Sequence, residues 1–498
     1  MQSSWMSTVA IIAAFSLLYS ARPFSFEAPY PTSNIRAKTP SPFGRYHEPR
    51  RGSYQLTEEE PDAQIQVTVQ NKRINAIYTY VTGVDTTSGN YLMLHKEGEG
   101  DFRWAVKPPG NETNNADAYY FTVFDNKYEM RIQAKSNGSF YIPTYAASGR
   151  IYIADGTLRF GTNEGGSKAG FVTPSSSNIA LPEYNRTWQF IEFSWRMGEL
   201  WINISNKDLV SIPLGLAVTS KMAGSSTKTV PGLVSNATAL VCEELRKQSS
   251  KDGYNWKDLC IWDLDGKLIR VISPDQFLSM HTTDPLNNYY DDYVEAVWGR
   301  YNKINLTIQT HDDHRQVTNV SEPDKGNGTT PETYVSCQVG NDQILNCYNP
   351  TSGRSCNFLK PTTKEIFGCS QDDGTFKVDV VPDYAEVLMR AEIIPHLCSG
   401  FQRSTLLRSG GDLQPYVNGT NTADDYYCGN DVQEQYCPKN ITNYYAKFVH
   451  QYEGEGMGYA FAYDDTNPIA EGLTNGSRNA AGLIVDTDPA SIFITVGL

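Results

Sequence analysis

The chain has 498 residues, 40% of them apolar and 20% charged, with a formal net charge of −14. That balance fits one large or two to three ordinary globular domains and excludes a disordered or fibrous chain. The acidic excess argues against nucleic acid or anionic lipid as the main partner, while 31 Tyr, 20 Phe and 8 Trp suit a β-rich core and offer flat platforms for sugar rings.

The N-terminus reads "MQSSWMSTVAIIAAFSLLYSARPFSF". Its apolar run, Val9 to Leu18, has signal-peptide length and is too short to span a bilayer. Residues 1–21 are therefore expected to be a signal, cleaved near Ser20 or Ala21. No second segment reads as a membrane anchor, and "SIFITVGL" carries no lipid-attachment signal, so the expectation is a secreted monomer without membrane association. Eleven N-x-S/T triplets, at Asn111, Asn137, Asn185, Asn203, Asn236, Asn305, Asn319, Asn327, Asn418, Asn440 and Asn475, fit a secretory route. Residues 22–60 lack apolar periodicity and read as a linker or pro-segment, in which the dibasic Arg50-Arg51 would place the mature start near Gly52.

From residue 61 to about 228 short alternating strands are separated by Gly, Asn and Ser turns, with no helix, which predicts a sandwich or barrel. "GRIYIADGTLRFG" reads as a hairpin turning at Asp155-Gly156. Residues 229–301 change period: "SNATALVCEELRKQSS" places Leu240, Val241 and Leu245 on one helical face, "DLCIWDLDGKLIRVISP" is strand, and "NNYYDDYVEAVWGRYN" is helical, a mixed α/β insertion. Strands are expected again over 302–380, helices over 383–453, and closing strands over 455–498. Nine cysteines, none before Cys242, fit up to four disulfides with one thiol left over. Zinc is disfavoured, since no paired C-x-x-C occurs.

The stretch "FIEFSWRMGELWINISNKDLVSIPLG", Phe190 to Gly215, carries the chemistry. A turn at Met197-Gly198 pairs Glu192 with Asn203 and Ser194 with Trp201. Ile191, Phe193, Trp195, Leu200, Ile202 and Ile204 then share the core face, and Glu192, Ser194, Trp201, Asn203 and Ser205 share the other. Asp208 has the wrong parity for that second face, so a bulge or bend after Ser205 is needed to bring it there. Two carboxylates beside hydroxyls and an indole are the groups glycoside hydrolysis uses: one acid for the leaving oxygen, one carboxylate as base or nucleophile. Two surface carboxylates paired with Arg196 or Lys207 would be the plainer reading. Because Asn203 opens a sequon on the cleft face, it is expected to stay unmodified, held by neighbouring polar groups.

Other motifs carry less. "HDDHR" at His311 to Arg315 reads as a solvated loop rather than a metal site. "GEGMGYAF" follows a helix and not a strand, so it reads as a turn rather than a phosphate loop. Asp464-Asp465 read as surface acids. No G-x-S-x-G or H-E-x-x-H motif is present.

In order and breadth, "NAIYTYVTG", "GRIYIADGTLRF", "FIEFSW", "NISNKDLVSIPLGL", "DYVEAVWGRY", "CSGFQRSTLL" and "GYAFAYDDTNP" resemble the family-64 glycoside hydrolases. These are laminaripentaose-producing endo-β-1,3-glucanases related to thaumatin-like proteins. The resemblance runs from about residue 62 to the end. It implies a mainly β, thaumatin-like barrel or sandwich with an inserted mixed α/β domain, and a wide acidic groove for β-1,3-glucan. It also implies inversion by a Glu and an Asp sixteen residues apart, the spacing of Glu192 and Asp208. Glu192 is assigned as the acid, on the ground that Phe and Trp beside it would desolvate it, and Asp208 as the base. Ser194, Trp201 and Ser205 fall where the family lines its cleft. No cofactor is needed. The sequence departs from the family's pattern at Asn206-Lys207 and Ala462, and the 337–369 and 412–437 regions look like insertions. The rival expectation is a glucan-binding wall protein without turnover.

Overall fold

The computed structural model describes residues 64–497 except 87, 98–100, 107–118, 122–127, 164–169, 197–198, 223, 225–226, 310–333, 351–352, 370–383, 408–440 and 467–480. The signal, the 22–60 segment, the Met197-Gly198 turn and "HDDHR" lie outside the described residues.

Two sheets pack face to face. The five-stranded sheet runs Lys228–Val230, Leu214–Ser220, Pro489–Val496, Ile65–Asn71, Ser136–Ile142, and its Ile65 and Pro489 strands pair in parallel. The eight-stranded sheet runs Ile484–Asp486, Glu199–Ser205, Trp188–Arg196, Ala146–Ala154, Ile77–Val84, Tyr91–Glu97, Asp101–Val106, with Met130–Ile132 also paired to Ile77–Val84. Strict alternation makes one face of each strand apolar. Val67, Ile492 and Leu214 from the smaller sheet meet Ile151, Ile191, Phe193, Trp195, Leu200 and Ile202 from the larger in one core. Each such side chain contributes roughly 1.5–3 kcal/mol on burial. Gly149 is part of that fit: a Cβ there would lie 2.3 Å from Cζ of Phe193.

The opposite face of the larger sheet supports a second core. Tyr80, Tyr152, Trp188 and Phe190 project from it and pack beneath Ala237–Asp252, Asp291–Tyr301 and Tyr444–Gln451, helices whose buried sides carry Val241, Leu245, Trp298, Tyr445 and Val449. One core thus runs from the sheet into the mixed segment and the later helices. Leu209–Val210, which leaves the larger sheet, pairs with Leu268–Ile272 and ties that segment in. A four-stranded sheet follows over Leu306–Gln309, Tyr334–Val339, Leu345–Tyr348 and Ser355–Phe358. Helix Tyr384–Arg403 falls in the stretch expected to be helical, and strand Pro489–Val496 in the stretch expected to form closing strands.

Three expectations change. "GRIYIADGTLRFG" is not a hairpin, because Ala146–Ala154 and Phe160–Asn163 belong to different sheets. Asp155 instead exchanges bonds with Thr187, its amide donating to the Thr187 carbonyl at 2.9 Å and its carboxylate accepting from the Thr187 amide at 3.1 Å. Asp464 and Asp465 are not surface acids but are 0% and 5% exposed. Within the 455–498 stretch given to closing strands, "GYAFAYDD" forms turns with one isolated bridge between Ser205 and Tyr459, and the described strands are Ile484–Asp486 and Pro489–Val496. Among the described residues the disulfides are Cys242–Cys260, Cys337–Cys347 and Cys369–Cys398.

Candidate active site

The expected register of the carboxylate hairpin is the one observed: Glu192 faces Asn203, Ser194 faces Trp201, and the six apolar side chains of the other face are at most 3% exposed. On the far side of the Glu192 strand lies the Ala146–Ala154 strand, which pairs Phe190 with Tyr152 and Glu192 with Arg150. Along this face Trp188 and Phe190 sit under the helical layer, 2% and 1% exposed, and the Glu192 side chain, 12% exposed, marks where that cover ends. The site is therefore the open edge of the second core.

Arg150 organises it. Its Nε and one terminal nitrogen reach Oε1 of Glu192 at 3.1 and 3.0 Å, and that same terminal nitrogen lies 4.0 Å from Oδ2 of Asp208. The guanidinium also stacks over Phe190, 4.7 Å from the ring centre. Burial works against its charge, but Tyr152, Glu192 and Asp208 outweigh that and hold it above its ordinary value. Because both carboxylates touch one nitrogen, their nearest oxygens are at most about 7 Å apart.

Asp208 arrives through the bend its parity demanded. Extended structure stops at Ser205, Lys207 and Asp208 form a bend, and the chain then enters a different sheet at Leu209. Gln189, fully buried, fastens the corner from within: its Nε2 donates to the carbonyls of Ser205 at 2.7 Å and Leu209 at 3.2 Å, and its Oε1 accepts from the Ser211 amide at 3.0 Å. At the far side the Asp208 carbonyl accepts from the Ser273 amide at 2.9 Å.

The remaining sequence-chosen residues separate. Trp201 is half-buried on the carboxylate face. Ser194 is 6% exposed, and its hydroxyl accepts from the amide of Ser148, a residue in the left-handed region at φ 47°. Ser205 is fully buried with no partner for its Oγ among the described residues. Asn203 is likewise fully buried, and among the described residues neither side-chain atom has a hydrogen-bond partner, in place of the polar neighbours expected to hold it. The aromatic flank of Glu192 is divided by the pleat: Trp188 and Phe190 share its face, Phe193 and Trp195 point into the opposite core, and Arg150 and Asn203 are its cross-strand neighbours.

Sequence reading missed Arg150, although a lone arginine between apolar residues, at the parity of Tyr152, was a signal for it. It also missed a buried ionic cluster behind the corner. His450 Nε2 contacts Oδ2 of Asp464 at 2.8 Å, its Nδ1 contacts Oε2 of Glu453 at 2.9 Å, and Arg403 donates to Oδ1 of Asp464 at 2.8 Å. Burial alone would lower the His450 pKa, but the Asp464 and Glu453 charges push it up to about 10. Burial likewise opposes ionisation of Asp464, yet His450 and Arg403 hold its pKa below the usual carboxylate value.

A pair of carboxylates facing one another across a half-open edge is what most glycoside hydrolases use. The family model for β-1,3-glucanases, glycoside hydrolase family 64, matches residues 63–496, and the chain belongs to that family. Two curated relatives named glucan endo-1,3-β-glucosidase, from Cellulosimicrobium cellulans and Arthrobacter sp. (strain YCWD3), are each 24% identical over 340 residues, 68% of this chain. That aligned stretch is 52% of each relative, so the chain spans about half their length. The fold is similar to that of a laminaripentaose-producing β-1,3-glucanase solved with laminaritetraose. The TM-score is 0.64 at 22% identity, covering 87% of this chain and 98% of that one. A β-1,3-glucanase domain from Clostridium beijerinckii gives 0.58 at 19% identity, covering 86% and 98%.

Proposed function

We propose that the protein is an extracellular endo-β-1,3-glucanase that hydrolyses β-1,3-glucan with inversion, using Glu192 and Asp208. The observation that carries this reading is the shared guanidinium, with Glu192 at 3.0 Å and Asp208 at 4.0 Å from one nitrogen of Arg150. One positive and two negative charges leave the trio a proton short of neutrality. Acid/base hydrolysis uses such a pair of carboxylates with one member as the acid and the other as the base.

In this reading Glu192 protonates the glycosidic oxygen and Asp208 draws a proton from the attacking water. Supporting the order, Glu192 rises from the sheet floor and is the less exposed side chain, 12% against 17%, while Asp208 sits at the corner where water has access. The ceiling of about 7 Å between their oxygens reaches the lower part of the roughly 6.5–9.5 Å range of inverting enzymes. Trp201 supplies a face for a sugar ring to stack on. The relatives named glucan endo-1,3-β-glucosidase, and the neighbour solved with laminaritetraose, support β-1,3-glucan as the substrate class. The thaumatin-like description fits the two-sheet core.

Leaving-group dependence tests the order. An acid is dispensable when the leaving group is already a good one, so Glu192→Gln should keep most of its rate on an activated β-1,3-glucosyl fluoride or dinitrophenyl glycoside. Asp208→Asn should fail on both activated substrate and laminarin. The reverse pattern would exchange the roles, and full activity of both variants on laminarin would remove the pair from catalysis.

A further inference from the structure

Asp208 is placed by a corner whose first residue is tied down on every side. Asn206 is 1% exposed, and all four of its polar groups are used. Its amide donates to the Tyr459 carbonyl at 2.7 Å, and its carbonyl accepts from the Tyr445 hydroxyl at 2.6 Å. Its Oδ1 accepts from Gln189 at 3.3 Å, and its Nδ2 donates to Oε1 of Glu453 at 2.8 Å. Glu453, 6% exposed, turns its other oxygen to His450, which Asp464 and Arg403 anchor in turn. Space for this carboxylate exists only because residue 458 is glycine: a Cβ there would lie 1.7 Å from Oε1 of Glu453. A line of polar contacts thus runs from the helices at Arg403 and His450, through Glu453, to the side chain of Asn206, two residues before Asp208.

Resting on the reading of Glu192 and Asp208 as the hydrolytic pair, we propose that Asn206 and Glu453 are positioning residues, clamping the corner so that Asp208 meets its water in register. Neither touches substrate. Between the isolated bridge at Ser205 and the new strand at Leu209 the corner lies outside any continuous ladder, and catalytic groups must be held within about 0.5 Å of their productive place. Side-chain ties from a rigid ionic cluster supply that constraint. A displacement of about 1 Å at the reacting group costs on the order of a hundredfold in rate.

The test measures kcat and KM on laminarin for the wild type, Asn206→Ala and Glu453→Gln, with rates normalised to the folded fraction from near-UV circular dichroism. Each variant should lose at least about tenfold in kcat while KM stays within about twofold. Glu453→Gln keeps the shape of the side chain and carries the test if Asn206→Ala does not fold. Adding Glu453→Gln to Asp208→Asn should cost the residual rate nothing further, since the clamp acts through Asp208. Unchanged kcat per folded mole, or an equal loss in the Asp208→Asn background, would reduce the clamp to a structural role and overturn the proposal. A folded wild type that binds laminarin without cleaving it would instead refute the hydrolase reading, and the positioning role would fall with it.

Discussion

Replacing Arg150 by Met keeps the bulk over Phe190 and removes the charge between two carboxylates. The magnitude follows from the contacts: Glu192 at 3.0 Å and Asp208 at 4.0 Å, with side chains 12%, 17% and, for Arg150, 27% exposed. At an effective dielectric of about 20 a unit pair at 4 Å is worth about 4 kcal/mol. Partial solvation of all three groups, and the desolvation already spent on the cation, bring the net loss of stability to about 2–4 kcal/mol. The assay is urea unfolding followed by tryptophan fluorescence at pH 7 and low salt. In a Glu192→Gln background the cation has only the more distant Asp208 left, so the same substitution should cost no more than about half as much. An equal cost in both backgrounds, or less than about 0.5 kcal/mol in the wild type, would refute the idea that this charge holds the two carboxylates together.

Three more outcomes follow from particular contacts. His450 titrates near 10 when folded and at about 6.5 when unfolded. Its contribution is thus complete below about pH 6.5 and is lost as pH rises toward 10, with a slope approaching 1.4 kcal/mol per pH unit. Unfolding free energies of the wild type and His450→Gln between pH 6 and 9 should therefore converge, and parallel curves would contradict the buried ion pairs. Gly149→Ala should destabilise by about 1–3 kcal/mol through overpacking against Phe193, and a Phe193→Leu partner change should recover part of that; a neutral Gly149→Ala would contradict the packing. Glycopeptide mapping should find Asn203 unmodified, since it is fully buried, whereas Asn137, Asn185, Asn236 and Asn305 are exposed; occupancy at Asn203 would contradict its place on the buried floor.

The hairpin was readable because its alternation is uninterrupted. Ile191, Phe193 and Trp195 must share a face, so Glu192 must take the other, and the parity of Asp208 demanded the bend observed at Lys207-Asp208. Helices at Ala237–Asp252 and Asp291–Tyr301 were legible from their period for the same reason. What failed depended on partners distant in the chain. Asp155-Gly156 has hairpin chemistry, but Asp155 bonds to Thr187, and Phe160–Asn163 joins another sheet. Asp464 looks solvated beside Asp465, yet its partners are Arg403, 61 residues away, and His450. At Glu192 the flank of Phe and Trp is only half local in space, since Phe190 shares its face while the pleat sends Phe193 and Trp195 to the opposite one.

Laminarin hydrolysis with the product anomers read by proton NMR, for the wild type, Glu192→Gln and Asp208→Asn, bears most directly on Glu192 and Asp208 as an inverting pair. The expected result is immediate release of α-anomers by the wild type, and variants that bind laminarin with undiminished affinity but turn it over at least a thousandfold more slowly, on the order of 4 kcal/mol in barrier. Immediate release of β-anomers would contradict inversion, and binding of laminarin by the wild type without any release of sugar would leave the Arg150 site as a recognition surface.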